Sequence, residues 1–304
     1  MNTKQHRAQL VAGTFQIFVE QLRQYALLMR VHQPIGFMLL LWPILWALWI
    51  VGQGRPDEWV FVVFVLGAFL MRSAGCVIND FADRKFDPHV ERTRDRPLVT
   101  GTVRPEEALL LFAGLSLISL GLVLTMNRLT IILAFIAAAL ATTYPFMKRH
   151  TSLPQFYLGA SFGWGVPMAF AAQLGEVPRI GWLIFIAAVL WAVAYDTMYA
   201  MVDREDDERL GIRSTAILFA DADRFIVGII QLMLLFCLYL VGRSANLGLW
   251  YGIGLVTAAC LALYQQFLIR DRDKDKCFKA FMNNNYFGAA VFVGILLDYT
   301  FSVR

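Results

Sequence analysis

The chain has 304 residues, of which 58% are hydrophobic and 16% charged, with a formal net charge of +4. That balance excludes an ordinary soluble domain, and basic residues scattered through short loops form no nucleic-acid surface. The cysteines Cys76, Cys237, Cys260 and Cys277 are isolated, which excludes a CxxC zinc site or a disulfide framework.

Residues 1–30 mix apolar and polar positions, with no compact apolar core before a small-residue cleavage site. They are expected to form a cytosolic or interfacial amphipathic segment, not a signal peptide. The lack of an Arg- and Ser-rich transit pattern points to a bacterial protein. Residues 31–304 read as a single all-α polytopic membrane domain. Nine spans are predicted: Pro34–Val51, Trp59–Ile78, Ala108–Met126, Leu129–Met147, the proline-containing Leu153–Ala172, Ile180–Val202, Phe225–Gly242, Leu247–Ile269 and Phe281–Phe301. The N-terminal segment and the even-numbered connections carry 21 of the 27 Lys and Arg residues. The opposite side carries five, and Arg72 lies inside the second span. The positive-inside tendency therefore predicts a bacterial inner-membrane protein with its N-terminus in the cytoplasm and its C-terminus outside.

The second span ends at Asn79, where Asn79–Leu98 (NDFADRKFDPHVERTRDRPL) begins. If the helix continues, Asn79, Asp83 and Asp87 share one face, because each step of four overshoots a turn by only about 40°. Carboxylates stacked in this way repel one another and require a cation between them. A second acidic stretch, Tyr195–Leu210 (YDTMYAMVDREDDERL), follows the sixth span. Asp203 and Asp207 are again four apart, and Tyr195 and Tyr199 continue the stripe inward. Asp196 points within about 20° of Asp203 but lies about 10 Å deeper, a costly position unless it faces a polar cavity or partner. The two stretches are four spans apart and open on the same predicted membrane face, an arrangement compatible with a distant internal duplication.

Paired carboxylates at helix ends suit Mg²⁺, which takes oxygen ligands and commonly shares them with substrate phosphates. Neighbouring Lys and Arg suit an anionic diphosphate. Together they predict Mg²⁺-assisted departure of diphosphate from a substrate dissolved in the lipid bilayer. Lys148 and Arg149, after the fourth span, are expected either to bind a carboxylate or phosphate or simply to set topology. Asn283–Asn285 either line the site or cap and solvate a helix. Arg72 and Asp298, each inside an apolar run, read as snorkelling or locally paired residues.

The stretches NDFADRKFDPHVERTRDRPL, YPFMKRHT, YDTMYAMVDREDDERLGIRSTA and FKAFMNNNYFG resemble the intramembrane aromatic prenyltransferases, in particular the branch acting on 4-hydroxybenzoate in ubiquinone biosynthesis. The resemblance runs from about Arg30 to the last span. The family's NxxxDxxxD motif falls on Asn79, Asp83 and Asp87, and its DxxxD motif on Asp203 and Asp207. The resemblance implies about nine transmembrane helices around a central cavity, with cytosolic loops as a cap. It implies Mg²⁺ held by these five residues against a polyprenyl diphosphate, in an active site facing the cytoplasm. The allylic C–O bond ionises, the ring carbon ortho to the hydroxyl of 4-hydroxybenzoate attacks, and proton loss restores aromaticity. On this picture Arg84, Lys85, Arg94, Arg96 and Arg204 are candidate diphosphate contacts, and Arg149, with Lys148, is a candidate for the benzoate carboxylate. Asp196, beside Tyr199, accepts a proton, stabilises developing positive charge, or is held in a buried hydrogen bond to a neighbouring tyrosine. The rival readings are a related prenyltransferase with a menaquinone- or haem O-type acceptor, and a cation-coupled transporter. A CDP-alcohol phosphotransferase is disfavoured, because its DGxxAR signature is absent.

Overall fold

The computed structural model describes residues 16, 18–85, 87–89, 93–151, 153–211 and 213–302. Every element among them is helical. In chain order they are α1 (18–28), α2 (Pro34–Val51), α3 (Glu58–Asp83), α4 (Pro97–Thr100), α5 (Pro105–Val123), α6 (Arg128–His150) and α7 (Pro154–Gly163). Then come α8 (Gly165–Leu174), α9 (Arg179–Leu210), α10 (Thr215–Phe219), α11 (Asp223–Ser244), α12 (Leu249–Leu268) and α13 (Lys274–Phe301). Of the expected N-terminal segment, residues 1–15 and 17 lie outside the described residues.

Seven helical stretches among the described residues are long and apolar enough to cross a bilayer: α2, α3, α5, α9, Thr215–Ser244, Leu249–Asp271 and α13. The other two expected spans take different forms. Helix α6 has 23 residues, about 34 Å of rise, and its described apolar stretch is Arg128–Tyr144. The proline-containing fifth span is interrupted at Trp164, which separates α7 from α8. Pro167 explains the interruption, since it has no N–H for the Gly163 carbonyl and its ring crowds that oxygen. The Trp164 indole takes up a new partner there, donating to the Leu133 carbonyl at 2.9 Å.

The chain forms two compact units, one comprising residues 1–34 and 70–118, the other 35–69 and 119–304. The smaller has a short core in which Leu28, Ala74, Val77, Val103, Ala108 and Leu115 are buried together. The larger is organised around α9, which packs against α7, α8, α10, α11 and α13. Small side chains make this possible. Ala187, Ala188, Ala192 and Ala194 are all buried on α9, and a Cβ on Gly159 of α7 would lie 2.9 Å from the Val189 carbonyl oxygen. Helices α12 and α13 meet in the same way, because a Cβ on Gly254 would lie 2.7 Å from the Ala290 carbonyl oxygen and 2.9 Å from the Gly294 Cα. Backbone approach of this kind replaces the hydrophobic effect as the source of helix–helix affinity in lipid.

Several polar side chains inside the larger unit are paired. Asp298, fully buried, accepts the backbone N–H groups of Gly248 (2.9 Å) and Tyr251 (3.1 Å), capping the start of α12. Asn284 and Asn285 accept the indole N–H groups of Trp191 and Trp42, both at 2.9 Å, while Asn283 accepts from Gln265 at 3.0 Å. The asparagine run is thus mid-helix and fixes neighbouring side chains; it caps nothing.

Candidate active site in two acidic sets

The first set belongs to the smaller unit. Helix α3 ends at Asp83, and Asp87 lies in a separate single 3₁₀ turn, Asp87–His89. Helical continuation through Asp87 is therefore corrected. Pro88 has no N–H to donate and disfavours helical geometry at Asp87, so the chain turns. Asp80, Asp83 and Asp87 are buried, and Asn79 is half-buried. Arg96 spans the turn, with Nη1 2.9 Å from Asp80 Oδ1 and 2.8 Å from Asp87 Oδ2. Arg30 Nη2 meets Asp80 Oδ1 at 2.6 Å. Thr93 Oγ1 donates to the Asp87 carbonyl at 2.8 Å, securing the returning loop.

Burial raises the Asp87 pKa above the ordinary carboxylate value; Arg96 opposes the rise, and Asp83 and Asp80 add to it. Three buried carboxylates against two guanidiniums favour further positive charge. The other expected diphosphate contacts in this unit are disposed differently. Arg84 folds back, donating to the Phe81 carbonyl at 2.7 Å with its guanidinium 4.2 Å from the centre of the Phe81 ring. Lys85 is exposed, and the exposed Arg94 pairs with Asp95 at 3.8 Å.

The second set belongs to the larger unit and lies on α9, which continues to Leu210 and stops where Gly211, at φ 67°, donates its N–H to the Asp207 and Glu208 carbonyls. Asp196, Tyr199, Asp203 and Asp207 are half-buried, and Asp203 and Asp207 lie within electrostatic range of Asp196. Gln155 lies beside Asp196. The Gln155 carbonyl oxygen accepts the Thr215 N–H at 3.1 Å, which ties this side chain to the start of α10. Tyr195 stacks edge-on against Trp191, and Tyr199 faces Phe281 with 4.8 Å between ring centroids.

Arg204 is turned to structural partners, Glu208 at 3.2 Å and Asp223 at 3.5 Å. Asp223 is fully buried at the start of α11 and also receives Arg272, through Nε at 3.0 Å and Nη2 at 2.9 Å. This brace ties the end of α9 to the α12–α13 turn. The side chains of Lys148 and Arg149 lie outside the described residues, although both residues fall within α6.

Asp80, Arg30, Gln155 and Asp223 were absent from the sequence-derived set. Asp80 had a signal, since it is three residues before Asp83 and seven before Asp87. The other three are visible only through contacts distant in sequence. Both sets offer oxygen donors, the chemistry of a hard divalent cation. Among the described residues no three Asp, Glu, His or Cys side chains converge into a ready-made cage.

An all-helical, multi-pass membrane protein with carboxylates gathered at the ends of apolar helices is the class these features define. The model of the UbiA prenyltransferase family matches residues 40–287, and the chain belongs to that family. It is 61% identical over 275 residues to a Nitrosococcus oceani protein described as 4-hydroxybenzoate octaprenyltransferase, covering 90% of this chain and 96% of that one. Among solved structures it is similar to a UbiA homologue from Aeropyrum pernix K1, with TM-score 0.75 and 24% identity over 87% of this chain and 97% of that one. It is also similar to a UbiA homologue from Archaeoglobus fulgidus bound to GPP and Mg²⁺, with TM-score 0.66 and 18% identity over 90% of this chain and 99% of that one.

Proposed function

We propose that this UbiA-family enzyme transfers a polyprenyl group from polyprenyl diphosphate to the ring carbon ortho to the hydroxyl of 4-hydroxybenzoate, the prenylation step of ubiquinone biosynthesis. The observation that carries the reading is the 61% identity to a protein of that name across nearly the whole of both chains. We assign the reaction to the cytoplasmic face of a bacterial inner membrane, on the strength of the 21-to-5 charge bias.

In this proposal Asp83, Asp87, Asp203 and Asp207 would be ligands for a divalent cation, directly or through water, and Asn79 would supply or orient a further oxygen. Bound Mg²⁺ would neutralise charge accumulating on the departing diphosphate. Arg96 keeps Asp80 and Asp87 in place and contributes its own charge to the same anion. Tyr195, Tyr199 and Phe281 offer ring faces to the allylic cation as it forms. Asp196, beside Gln155, stands on the same helix face as Asp203 and would offset that charge and take the ring proton.

Membranes carrying the protein, given Mg²⁺, polyprenyl diphosphate and 4-hydroxybenzoate, are expected to yield the ring-prenylated acid by mass spectrometry. Asp83→Ala and Asp203→Ala should each lower turnover by about 100-fold or more. Wild-type turnover in both would remove the acidic sets from the reaction.

A further inference from the structure

Asn284 is a buried amide on α13 that the reaction described above does not use. Its nitrogen donates to the Ala280 carbonyl at 3.0 Å and the Phe281 carbonyl at 3.3 Å, one turn earlier on the same helix. With the nitrogen held there, the amide oxygen turns toward α9 and accepts the Trp191 indole N–H at 2.9 Å. An indole has no second hydrogen-bonding atom, so this one bond sets the lie of the buried Trp191 ring. No bulk water competes for it at this depth in a membrane.

Both ends of the bond lead to rings near the second acidic set. Trp191 lies one turn before Tyr195 on α9 and stands edge-on to it, with 5.4 Å between ring centroids. Trp46 and Phe287 pack against the same indole at 5.3 Å and 5.8 Å. On α13, the turn that Asn284 grips carries Phe281, whose ring meets Tyr195 at 6.1 Å and Tyr199 at 4.8 Å. One amide therefore ties the helix turn that presents Phe281 to the indole that supports Tyr195. Those are the rings assigned above to the allylic cation. Any water reaching that cation would consume it: the water oxygen bonds to the allylic carbon, a proton is lost, and polyprenol forms in place of the prenylated acid. We infer that Asn284 is a positioning residue for prenyl transfer, which keeps this aromatic wall closed to water so that the acceptor ring captures the cation. The inference rests on the ionisation assigned above.

The fate of the donor is the readout. Purified wild-type, Asn284→Leu, Trp191→Phe, double-variant and Asn283→Leu proteins would receive Mg²⁺, polyprenyl diphosphate and 4-hydroxybenzoate in water labelled with heavy oxygen. Polyprenol made by water attack at carbon carries the label, whereas phosphatase cleavage at phosphorus leaves the donor's own oxygen. Asn284→Leu should raise labelled polyprenol per prenylated acid at least about fivefold, the scale of one lost hydrogen bond, with both KM values within about twofold. Trp191→Phe keeps a ring but loses the N–H, and should raise the same ratio. The double variant should be no worse than Asn284→Leu, because both changes break one bond. Asn283→Leu loses a bond of the same kind, to Gln265, and should keep the wild-type ratio. A ratio unchanged in Asn284→Leu would overturn the inference, as would one unchanged in Trp191→Phe if the Leu variant does not accumulate. An equal rise in Asn283→Leu would overturn it too. A wild-type protein that makes no prenylated acid would instead defeat the reading on which it rests.

Discussion

The Arg96 guanidinium holds Asp87 Oδ2 at 2.8 Å across a turn of nine residues, and the same nitrogen reaches Asp80. One side chain therefore ties the end of a membrane helix to the loop that follows it. Arg94, two residues earlier, is exposed and lies against Asp95. Arg96→Ala would leave two buried carboxylates without this partner, a loss of about 3–5 kcal/mol when uncompensated. Turnover of Arg96→Ala is expected to fall at least about 100-fold, whereas Arg94→Ala should stay within about twofold. Steady-state kinetics on matched amounts of membrane protein would reveal whether the two arginines differ in this way.

Asp223 makes a similar prediction for the second acidic set. Its carboxylate is buried beneath Arg272 and Arg204. Asp223→Asn should destabilise the detergent-solubilised protein by about 3 kcal/mol, read as a lower midpoint in thermal denaturation. An unchanged midpoint would mean that the brace carries no stability.

Asp298 should behave differently. It caps the start of α12 by accepting two backbone N–H groups, so Asp298→Ala is expected to cost about 1–2 kcal/mol. Asp298→Asn keeps an accepting oxygen and should recover part of that. Once folded, both variants should retain wild-type KM values for donor and acceptor; a selective rise in either KM would contradict a purely structural role.

Orientation can be tested independently of chemistry. The charge bias predicts that a reporter fused to the N-terminus is active in the cytoplasm and one at the C-terminus is active outside. Finding both ends on one side would require an even number of spans, with α7–α8 and α6 the first places to look.

Much of this was legible in the sequence, because apolar length and charge asymmetry are properties of the chain itself. The acidic residues announced themselves where apolar helices end. Their arrangement did not. A period of four selected Asp83 and Asp87 but passed over Asp80, which Arg30 and Arg96 both engage. Pro88 was visible, yet extending the helix through it would have placed Asp87 on α3, when a turn and an arginine position it instead. Arg204 sits beside Asp203 in sequence, but its side chain goes to Glu208 and Asp223. The direction of a long side chain depends on a partner that no local pattern encodes. Asp298 is the converse case: an acid inside an apolar run drew notice, and its role emerged only with the helix start 47–50 residues away that it caps.

The contact of Gly254 with Gly294 also restricts how a lipid substrate can reach the reaction. Where an added methyl group would already collide with a carbonyl oxygen at 2.7 Å, no hydrocarbon chain can pass. At this level the seam between α12 and α13 is shut to lipid, and the isoprenoid tail of the proposed donor must enter elsewhere.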